Sequence, residues 1–146
     1  MVEKATNVVT MQFKSIPENV SLARVLVASF GAQLDMTISD LDELKVAVSE
    51  AVSNSIIHGY RNDPEKTVEM EVSSFENQLR IVVTDYGFGI EDINQALQPS
   101  FTTDTDRMGL GFVFMQSFMD TLEVKSEPNM GTKVTMVKNL AFQQES

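Results

Sequence analysis

The 146-residue sequence has no cysteine, no tryptophan and a single histidine. The lack of cysteine excludes disulfide bonds, thiolate catalysis and cysteine-ligated zinc, and one histidine excludes a metal centre built from several. No stretch approaches the roughly 18 consecutive apolar residues of a membrane helix. Residues 1–7 also lack the basic and then apolar pattern of a signal peptide. We therefore expect a cytoplasmic protein that does not enter a membrane.

Basic residues are also scarce, since 11 Lys and Arg stand against 21 Asp and Glu, a formal net charge of −10. This charge repels nucleic acid at long range, and no cluster of Lys or Arg offsets it locally. We therefore expect no nucleic-acid partner. A phosphate ligand would need help from a divalent cation, backbone N–H groups or a few placed cations. Alternatively, the acidity serves only solubility.

The remaining composition, with 42% hydrophobic residues, fits a single domain over residues 1–146 with a sizeable core. Apolar runs, several of them alternating with polar residues, predict strands at 9–13, 68–72, 79–84, 122–127 and 132–138. Pro17 opens a predicted helix whose apolar stripe is Leu22, Val25, Leu26, Phe30 and Leu34.

Three more helices are predicted, from Ser39 to His58, around 93–97, and from Leu110 to Met119, with a mobile loop at 98–106. The resulting order is strand, helix, helix, strand, strand, loop, helix, strand, strand. This order predicts an α+β fold, a two-layer sandwich in which helices cover one face of a mixed, mainly antiparallel sheet.

A polar stripe interrupts the apolar surface of the second long helix. Glu50, Asn54 and His58 lie four residues apart and span about 80° of the helix, with apolar residues on both sides. Such a stripe lines a cavity or, alternatively, consists of satisfied polar groups in the core. Glu50 is suited to accept a proton from a hydroxyl or water, and the Asn54 amide oxygen is suited to bind Mg²⁺. His58 holds a loop or a phosphate, or makes a structural hydrogen bond.

A second polar group ends the apolar strand 79–84. An unpaired carboxylate at Asp85 would be costly to bury, and because a carboxylate only accepts hydrogen bonds, an adenine amino group is a suitable partner. Gly87 and Gly89 admit a flat base close to the backbone, or simply a tight turn. Thr132 could reach the adenine from a neighbouring strand, although a β-branched residue needs no special reason to begin a strand.

Glycines recur before the last long helix. Gly109-Leu110-Gly111 is predicted to open that helix, where free N–H groups and the helix dipole form a seat for phosphate. Arg107 could place its charge on a terminal phosphate or be an ordinary surface residue. Thr102 and Thr103 add hydroxyl groups to the preceding loop.

The blocks Glu50-x-x-x-Asn54, Asp85-x-Gly87-x-Gly89, Gly109-Leu110-Gly111 and Gly131-Thr132 resemble, in order and spacing, the boxes of the Bergerat-fold (GHKL) ATPases over about residues 8–138. Sensor histidine kinases usually have Asn where this chain has Glu50, and this chain has no separate phospho-accepting His helix. The gyrase, chaperone and mismatch-repair members carry further domains that this length cannot hold. The chain is most similar to the serine-kinase anti-sigma factors, and among them to the anti-sigma F factors of spore-forming bacteria.

The resemblance implies a homodimer that holds an RNA polymerase sigma factor inactive. It also implies that the protein, with ATP and Mg²⁺, phosphorylates a serine of an anti-anti-sigma factor. Open alternatives are a nucleotide-switched sigma-binding module without catalysis, an anti-sigma kinase of a stress-response sigma factor, and a detached histidine-kinase domain. The implied roles are the base for Glu50, Mg²⁺ ligation for Asn54, adenine binding for Asp85, phosphate binding for Gly109 and Gly111, γ-phosphate contact for Arg107 and sigma binding for Arg24.

The sequence departs from the family pattern at Met108, where a small Ser is common, and in a lid that is somewhat short. The lid, at about 98–108, is expected to order around the γ-phosphate. Both departures concern the phosphate loop and leave the expectation of nucleotide binding in place.

Overall fold

A five-stranded sheet forms one layer of the fold. The computed structural model describes residues 4–97 and 104–140, except for the side chains of residues 104–108. In the sheet the strands follow the order β1-β2-β3-β5-β4, and all four neighbouring pairs are antiparallel. The strands are β1 (Asn7–Lys14), β2 (Thr67–Ser74), β3 (Gln78–Asp85), β4 (Thr121–Glu127) and β5 (Gly131–Asn139).

The helices pack on the sheet and enclose the apolar core. They are α1 (Glu18–Gly31), α2 (Ile38–Asn54), α3 (Ile93–Ala96) and α4 (Asp104–Phe118), and a π-helical turn (Ser55–Gly59) continues α2. Strand β3 is the middle strand of the sheet, and its Leu79, Ile81 and Val83 are buried while the residues between them are only partly buried. The predicted α+β architecture is confirmed, with the sheet antiparallel throughout. Among the described residues, no helix has the length and apolarity needed to cross a membrane.

The predicted apolar stripe of α1 is partly wrong. Leu22 and Val25 are 47% and 65% exposed, and the face that packs inward carries Ala23, Val27, Phe30 and Gly31. A Cβ added at Gly31 would lie 2.8 Å from a methyl carbon of Leu41 in α2. Small residues therefore let α1 approach α2 closely, and this packing turns the larger Leu22 and Val25 outward.

Helix α2 begins earlier than predicted, because Thr37 and not Ser39 is its N-cap. The Thr37 hydroxyl accepts a hydrogen bond from the Asp40 N–H (3.0 Å), and the Asp40 carboxylate accepts one from the Thr37 N–H (3.1 Å). This reciprocal capping box satisfies two backbone donors that would otherwise lack partners. Ser39 is the second residue of α2 and therefore does not cap it.

Helix α4 also begins earlier than predicted. It starts at Asp104, so Gly109-Leu110-Gly111 lies inside the helix and does not open it. Residues 104–108 are Asp-Thr-Asp-Arg-Met, which contain no Gly or Pro and place two acids where the helix dipole favours negative charge. The part of the predicted loop from 104 to 106 is therefore helical, and its remainder lies outside the described residues.

Candidate functional site

A cavity of about 650 Å³ lies where the end of α2, the end of β3, α3 and the start of β5 meet. Its volume falls within the range of small-ligand pockets. Five of the residues singled out in the sequence line it together, namely Asn54, His58, Asp85, Gly89 and Thr132.

The π-helical turn shapes the wall of this cavity. The Tyr60 N–H donates to the Ser55 carbonyl at 2.8 Å, a bond that spans five residues instead of the four of an α-helix. A π turn is wider than an α turn, and single π turns are frequent at functional sites. His58 therefore does not continue the straight α-helical stripe of Glu50 and Asn54, although it lines the same cavity.

Asp85 is the most deeply buried acid of the site, with 3% of its surface exposed. Its carboxylate accepts a hydrogen bond from the Gly87 N–H at 3.0 Å. Burial raises the pKa of Asp85, and hydrogen bonds from the Gly87 N–H, the Ser55 hydroxyl and the Thr132 N–H partly oppose that rise. The strand end thus presents a buried, acceptor-only carboxylate at the cavity wall.

The glycines around Asp85 let three chain segments pack closely. A Cβ at Gly59 would lie 2.7 Å from the Asp85 carboxylate, and a Cβ at Gly87 would collide with the Gly59 carbonyl oxygen. Gly89 has φ +76°, and a Cβ there would collide with the Glu127 carbonyl oxygen. Gly87 and Gly89 are therefore both positions where a side chain would not fit.

Glu50 and Asn54 face α4 at Gly111. A Cβ at Gly111 would lie 3.0 Å from Oε1 of Glu50 and 3.3 Å from Nδ2 of Asn54. Burial raises the pKa of Glu50 above its ordinary value, as suits a group that takes up a proton near neutral pH. The missing side chain of Gly111 leaves room for the Glu50 and Asn54 side chains. These two side chains lie next to each other, as their four-residue spacing predicted.

The Asn54 amide fits a ligand for Mg²⁺. Its Nδ2 atom is buried and has no hydrogen-bond partner among the described residues. Turning the amide over would present Oδ1 at that position, and an amide oxygen is a ligand that Mg²⁺ accepts. Among the side chains that the structure describes, no three His, Asp or Glu cluster as a metal site. Asn54 therefore fits an ion whose remaining ligands are water and phosphate.

Comparison with known proteins decides the family of this chain. The profile of the histidine kinase-like ATPase domain matches residues 13–138. The anti-sigma F factor of Clostridium beijerinckii is 48% identical over 134 residues, which cover 90% of this chain and 94% of that protein. The anti-sigma F factor of Geobacillus kaustophilus is 48% identical over 137 residues, which cover 92% and 94%. The chain belongs to the anti-sigma F family of histidine kinase-like ATPases.

Solved structures share the fold. The structure of the RsbU and RsbW domains of a Mycobacterium tuberculosis protein superimposes with a TM-score of 0.59 at 16% identity over 97% of this chain. The blue-light activated histidine kinase EL346 of Erythrobacter litoralis gives a TM-score of 0.55 at 23% identity over 73% of this chain. This chain spans 35% and 32% of those two chains. At such identities the likeness supports the fold alone.

The structure describes the remaining predicted site residues only in part. Arg107 lies on α4 with its side chain outside the described atoms, and Thr102 and Thr103 lie outside the described residues. Gly109 is buried, whereas Leu110 is 55% exposed. Arg24 is half-buried on α1.

The sequence did not identify two residues, Ser126 and Tyr60, whose hydroxyl groups hold the chain segments around the site. The Ser126 hydroxyl accepts from the Ile90 N–H (2.8 Å), donates to the Gly131 carbonyl (2.9 Å) and lies 2.8 Å from the Thr132 hydroxyl. The buried Tyr60 hydroxyl accepts from the Tyr86 N–H and donates to the Thr67 carbonyl, each at 2.7 Å. The contacts of Ser126 with Ile90 and of Tyr60 with Tyr86 join residues 36 and 26 positions apart in sequence, so no local pattern predicted them.

Proposed function

We propose that the protein is an anti-sigma factor that binds and inhibits an RNA polymerase sigma factor. We also propose that it is a protein serine kinase, which uses ATP and Mg²⁺ to phosphorylate an anti-anti-sigma factor. The observation that carries the enzymatic part is the placement of Glu50 and Asn54 together against Gly111 of α4. The regulatory part is supported by the high identity to proteins named anti-sigma F factor.

The adenine of ATP belongs at the Asp85 end of the cavity. Asp85 is acceptor-only when ionised, and an adenine amino group donates hydrogen bonds. The Thr132 hydroxyl lines the same cavity and is held by Ser126. A base with a carbonyl in place of the amino group would set an acceptor against a buried carboxylate, which is costly. This arrangement supports a preference for adenine nucleotides.

The phosphates belong at the Asn54 end of the cavity, beside Glu50. Asn54 would hold Mg²⁺ through its amide oxygen, and Gly109, Gly111 and Arg107 would accommodate the phosphate groups. The bound ion would neutralise charge on the phosphates, which matters because the protein carries a net charge of −10. Phosphoryl transfer asks mainly for positioning and charge neutralisation from the protein.

Glu50 is the proposed general base. It would take the proton of the acceptor serine as the serine oxygen bonds to the γ-phosphorus. The bond from that phosphorus to the bridging oxygen breaks in the same step, and ADP leaves. The raised pKa of Glu50 makes it a better proton acceptor than an exposed glutamate.

Several further properties of this proposal rest on the family likeness. They are a homodimeric assembly, a sigma-binding surface that includes Arg24, a cytoplasmic location and no direct contact with nucleic acid. The large negative charge supports the last of these, because it repels the phosphate backbone.

The test is transfer of label from γ-labelled ATP, with Mg²⁺, to a candidate anti-anti-sigma protein. We expect phosphoserine on that protein, and we expect Glu50→Gln to lower the rate of transfer by about 10²–10⁴-fold while leaving ATP bound. Bound ATP without any transfer would instead indicate a nucleotide-switched binding module. A phosphohistidine product would indicate a histidine-kinase activity and contradict the proposal.

A further inference from the structure

An arginine that lines the cavity, Arg61, packs against the ring of Phe88. The guanidinium carbon of Arg61 lies 3.6 Å from the centroid of the Phe88 ring, within the range of a cation–π contact. Arg61 comes two residues after Gly59, and Phe88 follows Gly87 directly. The pair therefore bridges the two chain segments that close around Asp85.

Both partners are held in place by the backbone. The Phe88 N–H donates to the Gly59 carbonyl at 2.8 Å, and the Phe88 carbonyl accepts from the Asn129 N–H at 2.6 Å. Arg61 and Asn62 have φ of 52° and 63°, a region that residues other than glycine rarely adopt. Two consecutive residues in this region are strained, and such strain clusters at binding sites.

Arg61 is also distinctive by charge. It lines the cavity, and among the described lining residues it is the single Lys or Arg, whereas Asp85, Glu91 and Asp92 are acidic. With its guanidinium stacked on a ring, a planar cation is suited to cover a second flat, electron-rich ring. The adjoining Gly59–Asp85 contact marks this end of the cavity as the end proposed to bind the base.

We propose that Arg61 is a binding residue for the nucleotide base, with Phe88 as the platform that positions its guanidinium. This inference rests on the proposed function, since it assumes that the cavity binds ATP. The guanidinium forms the outer wall of the base end, and the contribution of Phe88 acts through Arg61. A contact with the base contributes equally to the binding of ATP, ADP and AMP.

The informative variant is Arg61→Gly. Glycine suits the left-handed backbone at this position, so the variant keeps the fold while it loses the side chain. We expect its affinity for ATP, ADP and AMP to fall by the same factor, about two- to thirtyfold, with an unfolding temperature unchanged or raised. A residue with only a structural role would lower the unfolding temperature instead.

Two further variants control the experiment. Phe88→Leu should weaken binding in the wild-type background and have no further effect beside Arg61→Gly, because coupled residues are not additive. Arg80→Ala removes another stacked guanidinium, 4.5 Å from the Phe75 ring, which does not line this cavity. Its nucleotide affinity should equal that of the wild type.

The outcomes separate this inference from the proposed function. Wild-type protein that fails to bind ATP contradicts the proposed function. Wild-type binding with no change in Arg61→Gly overturns the role of Arg61. A loss that grows from AMP to ATP also overturns it, because the guanidinium would then act on the phosphates and not on the base.

Discussion

Gly59 and Asp85 are in direct contact across the cavity wall, since a Cβ added at Gly59 would lie 2.7 Å from the carboxyl carbon and from both oxygens of Asp85. Asp85 has little room to yield, because it is buried and hydrogen-bonded to the Gly87 N–H. The Asp85 carboxylate, which is proposed to bind adenine, therefore fits in its position only because Gly59 has no side chain.

Gly59→Ala should displace the Asp85 carboxylate and lower ATP affinity at least tenfold. Overpacking of this kind also costs about 1–3 kcal/mol in the free energy of unfolding. Gly31→Ala is the matched control, because its Cβ would lie 2.8 Å from a Leu41 methyl carbon outside the cavity. Denaturant titrations and nucleotide titrations of both variants make the comparison. Equal nucleotide affinity in the two variants would contradict the role of Gly59.

Asn54→Ala should separate ligand binding from stability. The variant removes a buried amide nitrogen that has no partner among the described residues, so the free energy of unfolding should change by less than about 1 kcal/mol. Affinity for ATP in the presence of Mg²⁺ should fall, whereas affinity measured in excess EDTA should match that of the wild type. A loss of the same size with and without Mg²⁺ would show that Asn54 does not hold the ion.

The pH dependence of phosphoryl transfer should report Glu50. Burial raises its pKa above the ordinary value of 4.5, and only the ionised form accepts a proton. The rate at saturating ATP should therefore rise with pH, with its inflection above 4.5 and a plateau once Glu50 is ionised. The pKa of Asp85 is also raised, so ATP affinity should also change as the pH rises. Saturating ATP keeps that change in affinity from altering the measured rate.

Glu50→Gln is the control for this profile. It should lower the plateau rate by about 10²–10⁴-fold and remove the inflection. An unchanged inflection in the variant would assign the titration to another group.

The N-cap of α2 can be tested by stability alone. Thr37→Ala should lower the free energy of unfolding by about 0.5–2 kcal/mol, because it removes the acceptor of the Asp40 N–H. Ser39→Ala should change it by no more than a few tenths of a kcal/mol, since Ser39 lies inside the helix. Chemical denaturation of both variants decides the matter. The reverse ranking would restore Ser39 as the cap.

The strands and the buried face of α2 could be predicted from sequence because a strong periodicity specified them. Leu44, Val48 and Val52 lie on one helical stripe and are all buried, and four of the six residues of the strand 79–84 are apolar. Burial of apolar surface dominates such elements, so the pattern alone was sufficient.

The helix starts were predicted less well, because several residues compete for each cap. Both Thr37 and Ser39 are suitable N-caps, and the pairing of Thr37 with Asp40 decides between them. The glycines at 109 and 111 suggested a helix start, yet the residues before them continue α4 to Asp104. The outward rotation of Leu22 and Val25 depended on how closely α1 approaches α2, which no single helix reveals.

The residues that line the candidate site could be named from the sequence, whereas the residues that hold them in place could not. Asn54, Asp85 and Thr132, which come from three of the four blocks, line one cavity. The contacts of Ser126 with Thr132 and of Arg61 with Phe88 depend on strand register and on a π-helical turn. Both arise from tertiary packing, so sequence spacing does not encode them locally.

Calorimetric titration of the protein with ATP and Mg²⁺ tests the central claim most directly, because the proposed kinase activity and the proposed roles of Asp85 and Arg61 all require a nucleotide in this cavity. We predict saturable binding at one site per chain, weaker by about ten- to hundredfold in Asp85→Asn, since a hydrogen bond to a charged group is lost. No saturable heat at millimolar ATP, or equal binding by Asp85→Asn, would contradict the account.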